Sequence, residues 1–328
     1  MRTILTLLLA AIVATGAWLA YALLLPVGPK GQEKFVLLRP GSSTRHIARE
    51  LRNEGIIRSP AAFLLWHEWR GQPALKAGEY KFDHPTSARN VYDRIVAGDI
   101  YVHTVVIPEG YNTFDIANAI QSAGLGTSDD FLAVARSDVS LISDLDPQAP
   151  SLEGYLFPDT YEFTRTQSLH DMAAAMVRRF RQESHQLGLN TDLHGVVTMA
   201  SIVEKETAVP SERPLVAGVF FNRLRRKIVL ATDPSVIYAA LLAGRYNGVI
   251  HQSDLQSDSP YNTYKHAGLP PGPICNPGRD SLQAAMKPAQ SDFFYFVSDN
   301  NGHHRFARTM QEHSRNVAAY RRAVAESH

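Results

Sequence analysis

Between Arg2 and Lys30 the chain carries no charged residue, and Ile4 to Leu25 is a 22-residue run dominated by Leu, Ala, Ile and Val. At ~1.5 Å rise per residue such a run gives roughly 33 Å of helix, against a hydrocarbon core of ~30 Å. Lipid or a deep protein core can cover a segment like this, and water cannot. Trp18 and Tyr21 sit near its far end, where amphipathic rings favour the membrane interface. Pro26, Gly28 and Pro29 then stop the helix. A cleaved signal peptide has a shorter apolar core, roughly 7–15 residues, followed by a small-residue site. Here the bulky Leu23, Leu24 and Leu25 occupy that place, and no cysteine follows to take a lipid. The expected element is a retained single-pass anchor over Ile4–Leu25, within a first segment of residues 1–29 that starts in the cytoplasm. Lys30, Lys34 and Arg39 follow the run, so flanking charge orients it only weakly.

The composition narrows the function classes. With 33 Lys+Arg against 32 Asp+Glu, the net charge of +1 gives no electrostatic footprint for nucleic acid. Hydrophobic residues at 45% and charged residues at 20% suffice for a packed core. The lone Cys275 excludes an intramolecular disulfide framework and a Cys-based zinc site. The 13 histidines include no HExxH-type ligand spacing. Neither a metal nor a cofactor is expected.

An internal repeat organises the next segment. Val36–Ile56 reads VLLRPGSSTRHIARELRNEGI, and Val105–Leu125 reads VVIPEGYNTFDIANAIQSAGL. Gly41/Gly110, Thr44/Thr113, Ile47/Ile116, Ala48/Ala117, Leu51/Ile120 and Gly55/Gly124 coincide. Each copy predicts a strand, a Gly turn and an amphipathic helix closed by Gly. Small βααβ modules of the LysM type begin this way, with Gly78–Phe82 as the returning strand of the first copy. Trp66 and Trp69 on the intervening helix then read as core or as a sugar platform.

A Pro- and Asp-bearing stretch, Ser143 to Pro150, marks the expected boundary between a repeat-containing domain (33–150) and a second domain (151–328). Beyond it the patterns predict helices over 171–184, 196–207 and 214–225, with Ser211 as the N-cap of the last. Asp233-Pro234 starts a fourth helix. A hairpin follows across Asn300-Asn301-Gly302, then a terminal helix over 310–324. The fold class is α+β: a transmembrane helix, small LysM-like strand/helix modules, and a mainly helical domain with a small antiparallel sheet.

Chemistry centres on GVVTMASIVEKET, Gly195 to Thr207, which is apolar on nearly all sides and therefore buried. Glu204 lines up with Val197, Ala200 and Ser201. A carboxyl in such surroundings should be pushed up and so suit a general acid. Glu206, in line with Met199, Ile202 and Val203, is not excluded by helical phase. Either Glu could instead pair structurally with Arg213 or Arg223. LEGYLFPDTYEF, LATDP and SPYNTYKHAGLPPGPICNPG have the look of site loops, where aromatics stack on sugar rings and amides bond hydroxyls. From them Glu153, Tyr155, Asp233, Tyr261 and Asn262 are candidate substrate-binding residues.

Taken together, LEGYLFPDTY, ASIVEKETA, FNRL, TDPSVIY, SPYNTY and GLPPGPICNPG resemble, in this order, the YceG-like family of bacterial endolytic murein transglycosylases. The resemblance runs from about Phe35 to the end and includes the N-terminal anchor. It implies a lytic transglycosylase on the outer, periplasmic side of the cytoplasmic membrane, acting on nascent peptidoglycan strands. Such an enzyme cleaves the MurNAc–GlcNAc bond without water, leaves 1,6-anhydro-MurNAc ends and terminates strand elongation. The family's catalytic Glu is the first of the S-I-V-E-K-E-T motif, Glu204. Tyr261 and Asn262 resemble a Tyr-Asn pair that other lytic transglycosylases place beside their Glu. The synthases that polymerise the strand are the implied protein partners. Cys275 stands where a small residue is more usual. The rival readings are a hydrolase using Glu153, Asp159 or Asp233 as a second carboxylate, and a non-catalytic glycan-binding scaffold.

Overall fold

The computed structural model describes residues 2–190 and 192–326, an α+β chain with small antiparallel sheets. It forms two compact units, one up to Thr104 with Glu162–Ser168, the other Val105–Tyr161 with the residues from Leu169 onward.

The first unit contains α1 (Arg2–Leu24), β1 (Lys34–Leu38), α2 (Thr44–Asn53), α3 (Pro60–Trp69), β2 (Gly78–Phe82) and α4 (Ala88–Ala97). β1 and β2 pair antiparallel with Val36 opposite Tyr80, so the first repeat copy closes as a βααβ unit. Ser43, Ser59 and Ser87 each accept the N3 amide of their helix, satisfying one of the donors that a helix start leaves open. Val36, Leu38, Leu51, Phe63, Tyr80 and Val91 form the core. Ala22 and Leu23 of α1 belong to the same core, 2% and 7% exposed. Arg58 donates to the carbonyls of Leu25 and Pro26, and Val27 bridges Thr86. The end of α1 is thus built into this unit. Its earlier residues, such as Ile4, Leu8 and Ile12, are exposed, and the helix is long and apolar enough to cross a membrane.

The second repeat copy gives β3 (His103–Ile107), α5 (Thr113–Ser122), α6 (Ser128–Ser137) and β4 (Asp159–Phe163), with β3 beside β4. It repeats the βααβ order. Its returning strand lies after Pro150, and the compact units divide within β3 and β4 rather than at Ser143–Pro150. Most of this copy therefore packs with the helices that follow it, whereas the sequence grouped it with the first copy.

Those helices are α7 (Leu169–Leu187), α8 (Leu193–Glu206), α9 (Arg213–Arg225), α10 (Asp233–Leu242), α11 (Gln252–Leu255) and α12 (Arg279–Met286). The hairpin β5 (Tyr295–Ser298) and β6 (His304–Ala307) and the helix α13 (Met310–Glu326) follow. α8 packs against α9, α10 and α12, and its Val197–Val203 stretch is buried throughout, as its apolar sequence requires. Ser211 does not cap α9. It lies in a 3₁₀ turn, Pro210–Glu212, and no side chain caps that helix.

Candidate active site

α8 brings Glu204 to the edge of the second unit, where three separate segments meet it. The first is the start of α9: Arg213 Nη2 donates to Glu204 Oε1 over 2.9 Å. The second is the N-terminus of α12, where the Gly278 amide donates to Glu204 Oε2 over 2.9 Å. The third is the turn before α5, where Glu109 Oε2 lies 3.4 Å from the same Arg213 Nη2. Arg213 Nη1 also faces Asp280 at 3.8 Å, and its Nε is buried without a partner among the described residues.

These contacts add to the surroundings that helical phase gives Glu204. The Glu204 side chain is 5% exposed, but its neighbours are a guanidinium and a backbone amide, not apolar groups alone. The Arg213 partner is the one the sequence allowed for.

Glu109 is the group the sequence left out. It sits in PEG, at the turn of the second repeat copy, and its side chain is 48% exposed. Burial raises its carboxyl above the usual range, and the nearby Glu204 charge raises it further, against Arg213. A Cβ on Gly278 would fall 1.9 Å from Glu109 Oε1, so only glycine leaves this carboxyl its place. The signal available was the acidic residue in the turn of one copy where the other has Arg39-Pro40. It indicates a difference between copies without revealing what it faces.

Next to the pair opens a cavity of about 460 Å³, lined by Glu109, Gly110, Tyr111, Asp115, Asn118 and Lys205 among others. Lys205 Nζ bonds the Gly110 carbonyl over 3.2 Å, fixing this turn to α8. The lining is polar and carries both charge signs. It suits a ligand rich in hydroxyls and amides.

The loops named from sequence mostly build the support behind this site. Asn276 accepts from the Leu156 amide, and its Nδ2 reaches Tyr111 O and Glu153 Oε1, each over 3.0 Å. Glu153 is 1% exposed and also accepts from the Thr113 amide and hydroxyl. Burial pushes its carboxyl up to about 7, against the pull of those Thr113 bonds. Gly154, at φ +89°, has no room for a side chain, since a Cβ would lie 2.5 Å from Pro273 Cγ. Tyr155 is fully buried and donates to Asp146, and burial raises its hydroxyl. The Asn262 amide ties its own loop through the carbonyls of Leu255 and Ser257. Tyr261 stacks edge-on with Tyr238, and burial raises its phenol to about 12. Ser201 receives the Ile274 amide, and Cys275 Sγ donates to the Ser201 carbonyl.

Asp233 is elsewhere. It lines a second cavity, about 340 Å³, together with Glu206, Arg223, Tyr264, Tyr295 and Phe296. Tyr264 donates to Asp233 Oδ1 over 2.6 Å. Burial raises the Glu206 carboxyl, with Asp233 adding to it and Thr232 opposing. Of the six residues singled out by sequence, Glu204 alone is in the carboxylate pair. Glu153 stands behind it through Asn276, and Tyr155, Tyr261 and Asn262 are held in supporting loops.

A buried carboxylate fixed by Arg and backbone N–H, with a second carboxyl open to a polar cleft, is an arrangement that can carry acid–base chemistry on a polar substrate. The sequence profile of the YceG-like family matches residues 36–319, and the chain belongs to that family. It is 33% identical over 301 residues to the endolytic murein transglycosylase of Bacillus subtilis, covering 85% of this chain and 82% of that one. The protein of the same name from Streptococcus pneumoniae is 31% identical, covering 94% of this chain and 63% of its own length. A crystal structure of a yceG-like protein from Listeria monocytogenes superposes with a TM-score of 0.57 at 31% identity, over 87% of this chain and 99% of that one.

Proposed function

We propose that this chain is an endolytic lytic transglycosylase that cuts the MurNAc–GlcNAc bond of nascent peptidoglycan strands and leaves 1,6-anhydro-MurNAc ends, so ending their elongation. The observation that carries the reading is Glu204, at the family's catalytic position, held between Arg213 Nη2 and the Gly278 amide with Glu109 alongside. The raised Glu109 keeps a proton in this pair at a pH where a solvated carboxyl would have lost it. Glu109 supplies that proton to Glu204, which delivers it to the glycosidic oxygen as the bond breaks. The substrate's acetamido group supports the cationic C1, and its own 6-hydroxyl closes on C1 and returns a proton to Glu204. No water is added and the pair ends as it began.

The catalytic role belongs to the second unit in this reading. The first unit is a LysM-like module whose anchor, α1, keeps the site near the outer face of the cytoplasmic membrane, where strand synthases are its partners. The core position of Ala22 and Leu23 supports a retained anchor over a cleaved leader. Asp233, Tyr261 and Asn262 are assigned to binding or shaping the glycan groove, with Glu153 and Tyr155 supporting it from within.

The neighbouring Glu109 favours one second reading, a hydrolase with two carboxylates about the scissile bond. Mass spectrometry of purified strands after incubation with the protein separates the two. Anhydro ends support transglycosylation, and products heavier by one water support hydrolysis. Strands left intact under conditions where they bind would favour a non-catalytic scaffold.

A further inference from the structure

The outer side of α3 carries an apolar stripe beside one exposed acid, Glu68, where a helix on water should be polar throughout. Ala61, Leu65 and Trp69 recur at i, i+4 and i+8, so they form one stripe. All three are exposed, Leu65 at 52% and Trp69 at 74%. The opposite side, with Ala62, Phe63 and His67, is buried in the first unit. The helix therefore already spends its inward face on the core, and a second apolar face remains.

That face continues into α1. Leu19, Leu23 and Leu24 of α1 and Leu65, Trp66 and Trp69 of α3 line a common notch of about 450 Å³, almost wholly apolar. Leu24 itself is 54% exposed. Cations edge it. Arg70 and Arg89 lie 5.8 and 5.7 Å from the Trp66 ring centre, and Arg58 lies 5.1 Å from that of Tyr21. Trp66 and Trp69 are in ring contact, with centroids 4.8 Å apart. Apolar residues with tryptophans at the margin and arginines around them match the layering of a membrane interface.

We propose that α3 is seated in the outer leaflet, with Leu65 and Trp69 among the lipid chains and an acyl chain lying in the notch against α1. The inference rests on α1 spanning the membrane, as proposed above. It assigns the occupant from continuity: the apolar surface of α1 that lipid would cover runs onto α3 through the notch they share. A sugar platform would need Trp69 to face water. The first unit then has a fixed tilt on the membrane in place of a tether free to swing.

The full chain, reconstituted in phosphatidylethanolamine/phosphatidylglycerol vesicles carrying a phospholipid with a diazirine on its acyl chain, tests this without any substitution. Photolysis and peptide mass analysis should find lipid adducts on α1 and on the peptide holding Leu65 and Trp69. Adducts on α1 alone overturn the seating of α3 and leave the anchor standing. Adducts on neither helix overturn the anchor and, with it, this inference. A fluorescence measurement adds depth, because the three tryptophans are Trp18, Trp66 and Trp69. In the doubly substituted W18F/W66F chain, Trp69 emission should be quenched by lipids brominated near the headgroup and shielded from aqueous iodide. Free quenching by iodide in vesicles, relieved only when glycan strands are added, would identify a sugar platform and overturn the proposal.

Discussion

Gly278 holds Glu204 through its amide, at 2.9 Å, and makes way for Glu109 through its missing side chain. One residue thus serves both carboxyls, by donating a hydrogen bond and by occupying no space. Gly278→Ala keeps the amide but drives a methyl into the Glu109 carboxyl. A side-chain end can swing away, so the fold should survive with a stability change within about 1 kcal/mol. Strand cleavage should fall at least about tenfold as Glu109 is displaced from the pair. Unaltered turnover in a folded G278A protein would show that Glu109 has no part in the reaction.

Glu204→Gln keeps size and removes proton chemistry. General acid–base assistance is typically worth ~10²–10⁴-fold, and one group acts in both steps here, so anhydro-product formation should fall by at least about that range. Glu206→Gln, in the other cavity, should be far milder. Initial rates of anhydro-end release by both variants, with strand binding measured beside them, decide the matter. Equal losses, or a nearly normal rate for Glu204→Gln, would move the acid elsewhere.

Glu109→Gln should act on the pH profile as well as the rate. Burial and the Glu204 charge hold the Glu109 proton to higher pH than usual. The variant removes the raised carboxyl that holds a proton beside Glu204. The alkaline limb of the pH–rate profile should therefore move to lower pH. A limb that stays in place while the rate drops would reduce Glu109 to a positioning residue.

Glu153 gives a stability prediction with a definite sign. Its folded pKa is raised from 4.5 to about 7, so the folded state binds its proton more tightly than the unfolded chain does. The associated stability is complete below about pH 4.5 and is lost as pH rises through about 7, by an amount on the order of 3 kcal/mol. Chemical denaturation across that window should show the decline in the unmodified chain and a flatter curve in Glu153→Gln. The variant carries its own pH-independent cost, since an amide –NH₂ meets the Thr113 or Asn276 donors. Parallel curves would mean that Glu153 titrates normally.

Removal of α1 by a signal peptidase would take Ala22 and Leu23 out of the first unit's core. The membrane-extracted protein should therefore retain residues 2–25. Mass analysis finding a mature N-terminus between Ala20 and Gly31 would contradict a retained anchor.

The sequence by itself determined whatever depends on local order. Charge-free length specified α1, apolar periodicity specified α8, and two spaced Gly turns announced the duplicated strand–helix units, because each is a contiguous pattern with its own period. Glycine at 154 and 278 was visible, but the reason for it was not. Only tertiary structure decided the electrostatics of Glu204. Its surroundings come from residues 9 and 74 positions away in sequence (Arg213 and Gly278) and from Glu109 in the second repeat copy. The apolar helix turns around Glu204 say nothing about a guanidinium delivered by another helix. The place where the compact units divide was hidden for a related reason. The second copy closes its βααβ order with a strand beyond Pro150, and strand pairing is a long-range choice that proline-rich punctuation between the partners does not reveal.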